Sequence, residues 1–153
     1  MTPTIAPAGA ADLAPVLELL RRSKLPEAGF ADHLAAALVA RDGDRVVGSA
    51  ALELYGSAAL LRSVAVDERH RSQGLGRRLA EATLDLARAR GVDRVYLLTD
   101  TAPRFFARLG FSETDRATVD SAVRESVEFR TACPASAICM MLHLSGVGQP
   151  ANP

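Results

Sequence analysis

VAVDERHRSQGLGRRL, residues 64–79, decides how the rest of this 153-residue chain is read. It begins as the apolar end of a strand and passes through a charged turn, Asp67, Glu68, Arg69 and His70. Gly74 and Gly76 follow, where backbone can approach a ligand closely because glycine has no Cβ and takes positive φ freely. From Leu75 onward apolar residues recur at helical spacing (Leu75, Leu79, Ala82, Leu86), and Gly91 supplies the stop. The first amides of such a helix have no partner inside it. With the helix dipole behind them they make a ready anion site, and a diphosphate is the usual guest. The glycines fit neither common nucleotide fingerprint. G-x-G-x-x-G needs glycine at position 79, which is Leu79, and no GxxxxGK[ST] run is present.

Working outward, residues 58–66 read as the strand that enters this loop. Residues 38–41 and 45–54 read as two strands joined by Asp42-Gly43, a strong hairpin signal between apolar runs. The three strands form an antiparallel meander. Residues 94–99, RVYLLT, are apolar enough for a central strand, so strand, helix and strand make a parallel unit with a right-handed crossover. A short helix is expected over residues 103–109, ending at Gly110. At the N-terminus residues 4–6 suggest a strand. Asp12 is placed to cap a helix running to about residue 23, with Leu13, Val16, Leu17 and Leu20 on one face. A second short helix is expected over 30–36. Residues 114–126 are polar and poorly periodic, and strands are expected at 127–131 and 137–144. The expectation is one α/β domain over residues 1–145 with a mixed sheet: an antiparallel N-terminal meander, a central parallel βαβ unit and a C-terminal hairpin. Residues 146–153 (GVGQPANP) are expected to be a flexible tail.

Composition narrows the function. Lys plus Arg and Asp plus Glu number 18 each, so the formal net charge is zero. A nucleic-acid or membrane-surface protein normally carries a basic excess. The basic residues near the loop (Arg69, His70, Arg71, Arg77, Arg78) form either a local patch or a solvated helix face. Cys133 and Cys139 are too few for a zinc site, and free thiols in a reducing compartment are expected. No basic-then-apolar leader is apparent, and no apolar run approaches the ~20 residues of a spanning helix. The expected location is the cytoplasm.

The motif R-x-x-G-x-G (residues 71–76) after a strand ending V-A-V, followed by an amphipathic helix, resembles the acetyl-CoA signature of the GNAT N-acetyltransferases. TAPRFFARLGF (residues 101–111) resembles the helix-plus-GF motif that closes the cofactor site in that superfamily. ALLRSVAV, YLLTDTAPRFFARLGF and EFRTACPASA together resemble the arsenic-operon N-acetyltransferase subgroup. YLLTDTAPRFFARLGF is also similar to the acetyltransferase domain of N-acetylglutamate synthase. The resemblance implies a GNAT-like mixed sheet, acetyl-CoA as cofactor, a small-molecule amine as substrate, and allows a homodimer.

It also implies site roles. The strand carrying Val64, Ala65 and Val66 would part from the next one and offer its backbone to the pantetheine arm, with one N–H serving as an oxyanion donor. Arg71, Ser72, Gln73, Gly74, Leu75, Gly76 and Arg77 would hold the diphosphate. Thr101, Phe105 and Phe106 would line the closing helix, with Thr101 alternatively a helix cap. Many relatives carry a tyrosine as general acid at the position of Phe106, which cannot donate a proton. For the base, Glu53 lies on the neighbouring strand, pointing either into the cleft or to solvent, and Ser63 and Tyr55 are polar groups in the same region. Arg62 stands in an otherwise apolar strand, where a charge is costly unless paired or facing water. Spaced by two from Val64, it is expected to share that residue's face. It could hold a substrate carboxylate, arsinate or phosphinate by bidentate bonds, or pair with Glu53 across the sheet. Arg116, Arg124 and Arg130 are further candidate anchors.

Three readings follow. The first is acetyl transfer from acetyl-CoA to a small anionic amino-acid-like amine, an organoarsenical or phosphinic glutamate mimic included. The second takes a protein N-terminus, lysine or polyamine as acceptor. The third is a non-catalytic module that binds an acyl-CoA.

Overall fold

A computed structural model describes residues 2–133 and 135–144. Seven strands form one sheet: β1 (Thr4–Pro7), β2 (Ala37–Asp42), β3 (Arg45–Tyr55), β4 (Ala58–Val66), β5 (Arg94–Thr99), β6 (Ser112–Glu113) and β7 (Ile138–His143). Their order in the sheet is β1-β2-β3-β4-β5-β7-β6. The β4–β5 pair is parallel and every other pair among the described residues is antiparallel. Four α-helices accompany them: α1 (Leu13–Arg22), α2 (Leu75–Ala89), α3 (Pro103–Arg108) and α4 (Ser121–Arg124).

The expected meander and βαβ unit are present, with Asp42-Gly43 in the β2–β3 turn. The N-terminal strand and the strand at 137–144 are also present. Other expectations differ. Asp12 stands at the N-cap position of α1, but its side chain makes no cap bond there; its Oδ2 accepts from the Gly9 N–H at 2.7 Å and pairs with Arg41 Nη2 at 2.6 Å. The helix expected over 30–36 is a kinked 3-10 turn, Ala31–Ala36, because His33 leaves helical geometry. Residues 128–132 are a π-helical turn rather than a strand, so β7 pairs with β5 and with the two-residue β6 instead of closing a hairpin with 127–131. The tail expected at 146–153 lies outside the described residues.

Helices cover both faces of the sheet. Val16, Leu19 and Leu20 of α1 pack with Phe30, Val39, Ala51 and Ala65 on one face. Leu75 and Leu79 of α2 pack with Ala40, Val47 and Ala50 on the other. The same face continues to Leu84, Leu61, Leu97, Phe106 and Phe111. Residues 115–126 are pinned beneath the β4–β5 junction. Asp120 accepts from Arg94 Nε at 2.9 Å and from the Tyr96 hydroxyl at 2.8 Å. The Arg94 guanidinium, with Tyr96 assisting, holds the Asp120 carboxyl down to about 2.

Candidate active site

Strands β4 and β5 pair over three residues only, Ala58, Ala59 and Leu60 against Arg94, Val95 and Tyr96. β5 then keeps its register with β7 as far as Thr99, while β4 stays with β3 to Val66. The two central strands therefore diverge after Leu60. The β5-side edge of residues 61–66 faces the wedge-shaped gap that results. This is the parting expected from the resemblance, and it exposes strand-edge backbone in the middle of a sheet, where it is normally paired.

At the mouth of the gap the chain turns into α2. Asp67, 3% exposed, receives the Arg69 N–H at 3.1 Å and pairs with Arg45, fixing the turn that follows β4. Ser72 and Gly74 both take the left-handed conformation (φ +68 and +80). Gly74 is the N-cap of α2, and no side chain caps the first-turn amides there among the described residues. Space above Gly74 is open. At Gly76 a Cβ would lie 3.5 Å from the Phe105 ring and 3.6 Å from Val66. Those are ordinary contact distances, so the loop backbone lies close against β4 and α3 with room for about a methyl group. An uncapped helix start, two left-handed residues and close backbone packing fit a diphosphate.

The arginines are engaged with the protein itself. Arg71 Nε donates to the Val66 carbonyl at 3.0 Å, Arg77 pairs with Glu81 at 3.0 Å, and Arg78 donates to the Pro3 carbonyl at 3.2 Å. The first two of these contacts are exposed. Ser72 and Gln73 are exposed beside them, and Leu75 is buried as a core residue of α2. Thr101 is exposed just beyond β5 and is not the cap of α3; Ala102 stands at the N-cap position with no side-chain cap, and its N–H donates to Thr99 Oγ1 at 3.0 Å. Phe105 leans on Gly76. Phe106 is turned into the core in edge contact with Phe105 and Phe111, with ring centroids 5.0 and 5.9 Å apart.

Ser63 changes the geometry of β4. Its φ is +61, and the register against β3 slips there: Ala51 faces Arg62, but Ser49 faces Ala65. One extra residue in a strand inverts the alternation beyond it. Arg62 and Val64 therefore do not share a face, contrary to the spacing of two. Val64 packs with the α2 cluster and Ala65 with the α1 cluster. Arg62 projects on the opposite side from Val64, beneath the loop joining α1 to β2 and the segment around Glu128.

There Arg62 is fully enclosed, its side chain 0% exposed. Nη1 donates to Glu53 Oε2 at 2.7 Å, Nε donates to Ser63 Oγ at 3.1 Å and lies 3.5 Å from Glu128 Oε2, and Nη2 donates to the Pro26 carbonyl at 3.2 Å. The guanidinium does not open into the cleft; of the two alternatives read from the sequence, pairing with Glu53 is the one present. Glu53 itself, 1% exposed, is not solvent-facing. Its other oxygen accepts from the Tyr55 hydroxyl and lies 3.5 Å from His33 Nε2. Tyr55 and His33 are half-buried and lead from Glu53 to the surface. His33 and Ser49 escaped the sequence reading. Nothing marks His33, but Ser49 is a polar residue in an apolar strand, the same signal that singles out Arg62.

Two carboxylates share one guanidinium. Burial pushes the Glu128 carboxyl up to about 7; Arg62 opposes this and Glu53 adds to it. The Cys133 thiol hydrogen-bonds Glu128 and is pushed up to about 12, mainly by burial and then by that carboxylate, so it stays protonated at neutral pH. The sign of the pH effect follows. A carboxyl whose folded pKa exceeds its unfolded one contributes stability that is complete below about 4.5 and is lost as pH rises through about 7. Melting curves of wild type and Glu128→Gln at pH 5 and pH 8 check this. Wild type is expected to gain more from the acidic condition than the variant does. Equal gains would mean that Glu128 is not held protonated by its surroundings.

A profile of the acetyltransferase (GNAT) family matches residues 11–111. An uncharacterised N-acetyltransferase of Chlorobaculum tepidum is 34% identical over 86 residues, which is 56% of this chain and 55% of that protein. The match thus spans about half the length of that curated relative. Among solved structures, Rv2747 of Mycobacterium tuberculosis, in complex with CoA and NLQ, superposes with a TM-score of 0.79 at 25% identity over 94% of this chain and 100% of that one. N-acetylglutamate synthase from Neisseria gonorrhoeae, complexed with coenzyme A and N-acetyl-glutamate, gives 0.81 at 18% identity over 95% of this chain and 36% of that one, a likeness of fold. The matched span holds the parted strands, the glycine loop and α3, and the chain belongs to the acetyltransferase (GNAT) family, whose cofactor is acetyl-CoA.

Proposed function

We propose that the protein transfers acetyl from acetyl-CoA directly to the amine of a small amino-acid-like acceptor. The observation that carries this reading is the parting of β4 from β5 directly before an uncapped, glycine-bearing helix start. When bound, acetyl-CoA supplies an acetyl group activated as a thioester. The amides of residues 73–77 hold its diphosphate, and Arg71 and Arg77 exchange their present partners for phosphate oxygens. The edge of Val64, Ala65 and Val66 takes the pantetheine arm, with Thr101, Phe105 and Phe106 behind it. The Val64 N–H stabilises negative charge on a carbonyl oxygen.

The acceptor attacks only as a neutral amine, so its proton must leave. Glu53 is the base in this reading, reached through Tyr55 or His33. Arg62 and Ser63 hold it in place, and Phe106 leaves the departing thiolate to be protonated by water.

Because Arg62 is already matched by Glu53 and Glu128, an acceptor carboxylate needs another cation. Arg124 and Arg130 are exposed on the segment that packs over this region. The resemblance to arsenic-operon enzymes makes organoarsenical and phosphinic glutamate mimics the first acceptors to try. A second reading, a cationic acceptor such as a peptide N-terminus or polyamine, is favoured by the surplus carboxylate of the Glu53–Glu128 pair.

A screen of these amines reading CoA thiol release tests the proposal, alongside calorimetric titration with acetyl-CoA. Gly76→Leu, which pushes a side chain into Phe105, is expected to weaken acetyl-CoA binding about tenfold or more, a loss of at least about 1.4 kcal/mol. Unchanged binding by that variant would move the cofactor elsewhere.

A further inference from the structure

Ser49 lies on β3, completely buried, and its hydroxyl donates to the Ser63 carbonyl at 2.7 Å. That bond holds a residue in an unfavourable conformation. Ser63 is not glycine, yet its φ is +61. Such a residue keeps positive φ only when its surroundings over-determine it. Two contacts do so here: Ser49 on the carbonyl and Arg62 Nε on the hydroxyl.

The consequence reaches one peptide further. A trans peptide is planar, so its C=O and N–H point in opposite directions. The Ser63 carbonyl is drawn toward β3 by Ser49. The N–H of the same peptide unit, on Val64, must then point away from β3. On that side β5 has already left the sheet, since β4–β5 pairing stops at Leu60. We infer that Ser49 is a positioning residue for acetyl transfer: by clamping the Ser63 carbonyl, its hydroxyl aims the Val64 N–H into the gap between β4 and β5. The inference rests on the acetyltransferase reading above. Ser49 touches neither substrate nor cofactor and acts through the peptide it holds.

Aiming predicts a kinetic pattern that packing does not. A donor that acts as charge develops on the thioester oxygen lowers kcat when misdirected and leaves KM for acetyl-CoA nearly unchanged. Ser49→Ala is expected to lower kcat about tenfold or more. Ser63→Gly supplies the partner experiment, because glycine adopts positive φ without strain and needs the clamp less. In the S49A/S63G double variant, removal of the Ser49 hydroxyl is expected to cost clearly less than it does with Ser63 present. That non-additivity marks coupling through the peptide. Additive losses, or an equal rise in KM and fall in kcat, would assign Ser49 to packing alone.

A readout without turnover accompanies the kinetics. In the ligand-free protein, the Val64 amide is expected to exchange with solvent at a different rate in Ser49→Ala. Its proton resonance is expected to move less on adding acetyl-CoA than in wild type. Identical Val64 exchange and shift in both proteins would overturn the inference. Loss of acetylation in wild type with every acceptor would instead overturn the acetyltransferase reading, and the amide measurement would still decide the role of Ser49.

Discussion

Replacing Arg62 by alanine is expected to destabilise the fold by about 3–5 kcal/mol, the usual result of removing one partner from a buried ion pair. Two carboxylates depend on this guanidinium, Glu53 at 2.7 Å and Glu128 at 3.5 Å, and both are almost wholly enclosed. Without it the buried Glu53 carboxylate loses its counter-charge, and Glu128 loses the main group that opposes the upward push of burial. The same side chain also joins the Pro26 carbonyl to Ser63. Its loss therefore loosens the loop before β2 and the bulge in β4 together. Thermal unfolding followed by circular dichroism is expected to show a drop of about 10 °C or more, taking a few degrees per kcal/mol for a domain of this size. The triple variant R62M/E53L/E128L supplies the control. Apolar residues of similar volume avoid the uncompensated charges, so it is expected to be more stable than Arg62→Ala alone. If Arg62→Ala melts within 2 °C or so of wild type, a shift worth less than about 1 kcal/mol, the triad is not the clamp described above.

The second large effect falls on catalysis. Glu53→Gln keeps the shape of the side chain and its bond to Arg62 but removes the base. A positioned general base is worth about 10²–10⁴ in rate. A fall of that size in kcat is expected, with KM for acetyl-CoA little altered, because the cofactor loop lies on the other side of the bulge. The split between kinetics and stability separates this from a structural effect: the variant is expected to keep a melting temperature close to wild type while kcat falls. A Glu53→Gln enzyme with wild-type kcat would transfer the base role to another group. His33 Nε2, 3.5 Å from Glu53, is the first to test.

Much of this architecture is written locally. The Asp42-Gly43 turn, the helical spacing of Leu75, Leu79, Ala82 and Leu86, and the glycine after α2 are short-range signals and place their elements without tertiary information. The glycine loop is legible for the same reason: Gly74 takes positive φ, a local backbone requirement that glycine meets without strain. Residues 127–131 are the instructive failure. Val127, Phe129 and Thr131 alternate as a strand should. The π-helical turn formed in their place carries Glu128 inward to Arg62 and Cys133. A contact with a residue 66 positions earlier in the sequence outweighs local propensity here. The side of the sheet taken by Arg62 was equally hidden. Counting by two is sound in a regular strand, but a one-residue bulge at a serine leaves no local mark, and it turns Arg62 from the cofactor gap to the layer beneath it. Burial of a charge in an apolar strand was readable; which partner answers it was not.

One measurement bears on all of this at once. Wild-type protein is incubated with acetyl-CoA carrying an isotope-labelled acetyl group and with a mixture of acidic amino acids, organoarsenical and phosphinic glutamate mimics, peptides and polyamines, and the products are read by mass spectrometry. Acetyl transfer predicts label on the amine of one acceptor class in equal amount to the CoA set free. Saturable binding of acetyl-CoA with no labelled amine in the whole mixture would contradict it, and would make the chain a module that holds the thioester without using it.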